Sequence, residues 1–129
     1  MDVVLGFNEA LARGDMPGML EFLDPELEWR SPESVPWGGT FHGHDGFREF
    51  IDKLFGQPAE FRREVGEYLD AGSRVVPLLR QQARPKGGGA GYDVPEAWVW
   101  RVRDGKIVEF EAYFDTSTVL RTLHLAPRN

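Results

Sequence analysis

Apolar positions follow a helical period over the first part of the chain and a period of two beyond residue 59. Val4, Phe7 and Leu11 fall on one side of a helix over 3–13 that ends before Gly14. Asp15 then has the chemistry of an N-cap, with Pro17 in the first turn and Met19, Leu20 and Leu23 as the apolar stripe. Asp24-Pro25 stops that helix, and Leu27 and Trp29 alternate with Glu26, Glu28 and Arg30 as a short half-buried strand. Residues 31–43 read as a Pro- and Gly-rich loop, but Val35, Trp37 and Phe41 require that it fold over a core. Phe47, Phe50, Ile51 and Leu54 stand at i, i+3, i+4 and i+7, a helix closed by Gly56.

Strand patterns follow. Phe61, Val65 and Leu69 mark one over 59–69, and Asp70-Ala71-Gly72-Ser73 turns the chain. The run from Arg74 to Ala83 contains Pro77, which predicts an edge or a bulge. After the flexible loop Pro85–Gly91, strands over 92–103 and 106–114 flank Asp104-Gly105, a strong hairpin signal. Residues 116–124 close as a short helix carrying Val119, Leu120 and Leu123. The expected class is α+β, with helices on one face of a curved antiparallel sheet.

A two-residue turn at 104–105 pairs Arg103 with Lys106, which places Trp100 opposite Glu109, Trp98 opposite Glu111, and Glu96 opposite Tyr113. Those residues then share one mixed face, while Ala97, Val99, Val108, Phe110, Ala112 and Phe114 form a smooth apolar one. Two assignments follow. Either the smooth face is the core and the mixed face meets solvent, or the mixed face lines a cavity and the smooth face meets another subunit.

The chain has 129 residues and a net charge of −6, so a single domain over 1–129 is expected, large enough for a core and an internal pocket. The acidic balance argues against nucleic acid or an anionic membrane as a partner. Arg62-Arg63, the one basic cluster, is flanked by Glu60 and Glu64 and reads as a solvated face. With no Cys there is no disulfide or thiolate chemistry, which fits a cytoplasmic protein. The N-terminus has no signal-peptide pattern, and no apolar run is long enough to span a membrane.

Pro36-Trp37-Gly38-Gly39-Thr40-Phe41-His42-Gly43, followed by the helix at 47–55, resembles a motif of SnoaL-like proteins. The segment Val99–Ile107 and its continuation Glu111-Ala112-Tyr113-Phe114-Asp115-Thr116 resembles their C-terminal end. These proteins belong to the superfamily of nuclear transport factor two and ketosteroid isomerase. The resemblance implies a cone-shaped curved sheet wrapped around three N-terminal helices, with an internal pocket and a homodimer formed through the outer sheet surface. It favours the cavity assignment for the mixed face.

By that resemblance Asp115 matches the acid/base Asp of the polyketide cyclases, although Tyr113 and Glu96 stand where those enzymes carry histidines. The limonene-type epoxide hydrolases use Asp–Arg–Asp across the same strands; here Asp115 and Glu96 could supply the carboxylates, but Val94 replaces the Arg. In an apolar pocket a carboxylate is pushed toward neutrality, which suits Asp115 for proton transfer with Glu96 reinforcing it, while Tyr113 would donate to an enolate oxygen. Asp115 reads equally well as an N-cap of the last helix, and Glu96 and Tyr113 as rim and wall residues. Trp29, Trp37, Phe41, Trp98 and Trp100 suit a flat apolar ligand or a plain core, and Glu111 is either a pocket acid or a surface charge. His42 and His44 lack a third ligand, so no metal is expected, and His42 is kept as a pocket base. Gly87–Gly91 has no following helix to hold phosphate, and no cofactor is expected. The expected function is a cofactor-independent cyclase or isomerase of a small apolar carbonyl compound; a non-catalytic binding protein and an epoxide hydrolase are the alternatives.

Overall fold

The computed structural model describes residues 1–124, so the expected domain over 1–129 runs beyond the described residues at its C-terminal end. In chain order the elements are α1 (Asp2–Ala12), α2 (Met16–Glu21), β1 (Leu23–Ser31), β2 (Gly39–His42), α3 (Gly43–Phe55), β3 (Ala59–Ala71), β4 (Arg74–Pro85), β5 (Tyr92–Arg103), β6 (Lys106–Phe114) and α4 (Thr116–Thr122). The α+β class and the three N-terminal helices are as the sequence predicts. The strands form one curved, unclosed six-stranded sheet in the order β2-β1-β6-β5-β4-β3.

Several details differ from the sequence reading. Leu23 belongs to β1 rather than to the stripe of α2: it pairs with Ile107, and Ile107 donates its N–H to the Phe22 carbonyl at 2.8 Å. Since β1 runs parallel to β6, the sheet is mixed rather than wholly antiparallel. Within the expected loop 31–43, Gly39–His42 forms β2 against β1. The rest of that loop folds inward as expected, with Val35 and Trp37 buried and Trp37 edge-on to Phe61 at 5.0 Å. Gly38 is required in this fold-over, because a Cβ there would lie 1.7 Å from the Pro32 carbonyl oxygen.

Pro77 does not make β4 an edge strand. β4 lies between β3 and β5, and its registered pairs with β5 pass from Val75↔Trp100 to Leu78↔Ala97, skipping the residue that has no N–H to give. The helices cover the inner face of the sheet. Phe7 of α1 meets Trp29, Trp100 and Phe47, and Phe47, Phe50, Ile51 and Leu54 of α3 are all buried as their spacing predicts. Among the described residues no helix is long and apolar enough to cross a membrane.

The hairpin places the side chains of the site. Asp104 (φ 51°) and Gly105 (φ 75°) both adopt positive φ, which a type I′ turn requires, and Arg103↔Lys106 and Val102↔Ile107 pair as expected. The register then slips, and the next pair is Arg101↔Glu109. Val108 is the extra residue of a bulge, buried beside the buried Ile107. Beyond it Trp100 faces Phe110, Trp98 faces Ala112, and Glu96 faces Phe114. A one-residue slip exchanges faces. The inner face therefore holds Glu96, Trp98 and Trp100 with Phe110, Ala112 and Phe114. Glu109, Glu111 and Tyr113 join Ala97, Val99 and Arg101 on the other. Neither face of the unbulged pairing exists as drawn from the sequence.

Candidate functional site

Between the helices and the inner face of the sheet lies a cavity of about 410 Å³. Aromatic rings make most of its wall: Trp29 on β1, Trp98 and Trp100 on β5, Phe110 on β6, Phe7 on α1, and Phe47 and Phe50 on α3. Trp29 stacks on Phe110 with centroids 3.9 Å apart, and Trp98 meets Trp100 edge to face at 5.8 Å. Such interlocked rings form stiff walls.

Among the described residues Glu96 is the one carboxylate that lines this cavity, and its side chain is 1% exposed. Trp98 Nε1 donates to its Oε2 at 2.9 Å, and Gln81 Nε2 donates to its Oε1 at 3.1 Å. The Arg63 Nε, also on the wall, stands 3.4 Å from Oε1. Tyr92 in turn donates its phenol proton to Gln81 Oε1. Burial raises the Tyr92 pKa and outweighs the opposing Arg63 charge, with Glu96 adding to the rise. A buried carboxylate is tolerated only with such partners: a cation, two neutral donors, and a phenol that holds the amide in place.

Other polar wall atoms have no partner among the described residues. The indole N–H groups of Trp29 and Trp100 are buried without an acceptor, and Asn8 Oδ1 is buried without a donor although its Nδ2 reaches the Tyr68 hydroxyl at 3.0 Å. All four of these residues line the cavity.

Of the residues singled out in the sequence, Trp29, Trp37, Glu96, Trp98 and Trp100 are brought together on the wall. The others are not. Phe41 is buried behind the wall against Phe50 at 5.6 Å, with the Lys53 ammonium 5.3 Å from its ring. His42 is exposed at the start of α3, and His44 binds the Leu23 carbonyl at 2.8 Å. Glu111 faces outward beside Arg30 at 3.7 Å. Tyr113 is 52% exposed, and its hydrogen bond to Glu111 raises the phenol pKa. Asp115 caps α4, accepting from the Thr118 hydroxyl at 2.6 Å and the Thr118 N–H at 3.1 Å. These bonds hold its carboxyl below the usual range, so it is an exposed anion outside the cavity. The bulge at Val108 accounts for Glu111 and Tyr113, and the start of α4 for Asp115. Asp115 and Glu96 are thus not brought together as a carboxylate pair.

Sequence reasoning missed Arg63, Asn8, Gln81 and Tyr92. Arg63 had a visible signal, since Phe61, Arg63 and Val65 alternate along β3 and all line the cavity. Gln81 likewise occupies a buried position in the alternation Val75, Pro77, Leu79, Gln81, Ala83. Among the described residues no group of three His, Asp or Glu side chains is placed to hold a metal ion.

The architecture defines a class: an α+β cone whose helices and curved sheet flank an aromatic cavity that carries, among the described residues, a single compensated acid. Residues 4–110 match the SnoaL-like domain family, and the chain belongs to it. Among solved structures, an NTF2-like protein of unknown function from Burkholderia pseudomallei is 32% identical, with a TM-score of 0.85 over 95% of each chain. A second NTF2-like protein, from Burkholderia xenovorans, is 25% identical with a TM-score of 0.84 over 95% of this chain and 93% of that one. TerC, co-crystallised with polyporic acid, is 26% identical with a TM-score of 0.84 over 95% of this chain and 96% of that one. No functionally curated protein matches the chain.

Proposed function

We propose that this protein takes a flat, largely apolar carbonyl compound into the aromatic cavity and that Glu96 moves a proton on it, as a cofactor-independent isomerase or cyclase. The observation that carries the reading is a carboxylate on an aromatic wall, the one there among the described residues, held in place by Trp98, Gln81 and Arg63. Glu96 Oε2 has the single partner Trp98, which leaves it the oxygen with room to accept a proton from carbon next to a carbonyl and return it elsewhere. The co-crystallisation of TerC with polyporic acid supports small-molecule binding on this scaffold. In this reading Asp115 is a helix cap and takes no part in proton transfer. Epoxide hydration by two carboxylates is disfavoured for the same reason.

Binding without turnover is the second reading, favoured by the three partners that already engage Glu96. The two separate on paired variants assayed against a panel of polycyclic ketones, steroids and quinones. Glu96→Gln should retain ligand-dependent quenching of tryptophan fluorescence and lose turnover by about 100-fold or more, the usual scale of general acid–base catalysis. Asp115→Asn should leave turnover unchanged. Turnover that survives Glu96→Gln but vanishes in Asp115→Asn would return the chemistry to Asp115; saturable binding with no turnover in any variant would establish the binding reading.

We also propose that the outward sheet face pairs with a second copy. The cysteine-free sequence is compatible with a reducing cytoplasm.

A further inference from the structure

Four indoles line the cavity, and the N–H groups of Trp29, Trp98 and Trp100 have different fates. Trp98 gives its N–H to Glu96, whereas those of Trp29 and Trp100 have no acceptor among the described residues although both residues are buried, at 5% and 1% exposure. The two rings are neighbours, with centroids 5.7 Å apart and planes at 76°, and both pack on Phe110 and Phe7. A buried N–H without a partner is unfavourable, and Phe would supply the ring contacts without it. Phe7, Phe47 and Phe110 do so in the same cluster. An indole at these two positions is therefore explained by something that enters the cavity and accepts from it.

We infer that Trp29 Nε1 and Trp100 Nε1 form an oxygen-acceptor subsite, which selects ligands that carry a carbonyl or enolate oxygen over hydrocarbons of the same shape. The inference rests on the cavity being a ligand site and adds which part of the ligand is read, and by what. Neutral donors suit a carbonyl, and they strengthen as charge develops on that oxygen. The subsite thus supplies the electrophilic partner to the acid: Glu96 takes the proton while the two indoles hold the oxygen. The remaining cation on the wall, Arg63, is already engaged by Glu96.

The test uses matched probes, fluorenone against fluorene and indanone against indane, titrated by calorimetry into the full-length protein and into Trp29→Phe and Trp100→Phe. Each ketone should bind the wild type about tenfold or more tighter than its hydrocarbon, and each variant should remove most of that preference while hydrocarbon affinity changes little. In ¹⁵N-labelled wild-type protein, the two unpartnered indole N–H resonances should move on adding ketone and stay in place on adding hydrocarbon. This second readout stands even if a variant does not fold. Ketone and hydrocarbon binding equally, with both indole resonances unmoved, would overturn the subsite and leave the cavity as a ligand site. Neither skeleton binding would overturn the cavity reading itself, and the subsite with it.

Discussion

Glu96 is tolerable inside the cone because of side chains on two other strands. Arg63 of β3 gives it a counter-charge, and Gln81 of β4 gives it an amide donor that is itself held by Tyr92. Removing the far end of this chain should be felt along it. In Tyr92→Phe the Gln81 oxygen stays buried and loses its donor, which should destabilise the fold by about 1–3 kcal/mol, measured by urea unfolding at neutral pH. A pH consequence accompanies it. Burial raises the Tyr92 phenol above its ordinary value against the opposing Arg63 charge, with Glu96 adding to the rise, so the fold favours the neutral phenol. That contribution is complete below the ordinary tyrosine value of about 10 and declines as the pH climbs beyond it toward the folded-state value. The wild type should therefore lose stability above pH ~10 more steeply than Tyr92→Phe. Parallel alkaline curves for the two proteins would show that the phenol is not sequestered. Glu96 was legible from the sequence because it shares a strand alternation with two tryptophans. Arg63 was hidden because its charged neighbours Glu60 and Glu64 resemble a solvated run, although Phe61 and Val65 on either side give the inward period.

The hairpin of β5 and β6 decides which of these groups can meet. Asp104-Gly105 announced the turn, and the structure keeps it. The bulge had no comparable signal: Ile107-Val108 is a good pair of strand residues in either register, and both are buried. What the sequence does contain is the mismatch that the bulge resolves, since unbulged pairing would put Glu111 and Tyr113 beside Trp98 and Glu96. Deleting Val108 removes the extra residue and leaves the pairs beyond it, Arg101↔Glu109 and Trp100↔Phe110, in register with the same side chains facing inward. What is lost is the local twist of the bulge and one buried side chain. The deletion should therefore keep cooperative thermal unfolding, followed by the near-ultraviolet circular dichroism of the packed indoles, at a stability lower by about 0.5–3 kcal/mol. A deletion variant without a cooperative transition would mean that the twist of the bulge, and not the register alone, holds the hairpin against the helices.

For the whole molecule, the slip also determines the outer surface of the cone. The smooth face drawn from the sequence is replaced by a mixed one with a central apolar row, in which Leu78 pairs with Ala97 and Ala97 with Tyr113 across three strands. Leu78 and Tyr113 are 39% and 52% exposed, and Leu69 on the neighbouring β3 is 44% exposed. Ion pairs flank the row, Arg101 with Glu109 at 3.0 Å and Arg30 with Glu28 at 2.7 Å. An apolar centre with a charged rim is the anatomy of a protein interface, and a face containing a two-fold axis through the row would be self-complementary. Each chain carries a net charge of −6, so two copies repel at long range and contact must come from the row itself. Light scattering should therefore give a dimer mass at micromolar concentration, more stable as salt is raised. Leu78→Glu should yield a monomer with an unchanged circular dichroism spectrum, since the side chain points away from the cavity. A wild type that is monomeric at every salt concentration would remove the dimer and leave the cavity chemistry untouched, because every group assigned to it comes from one chain.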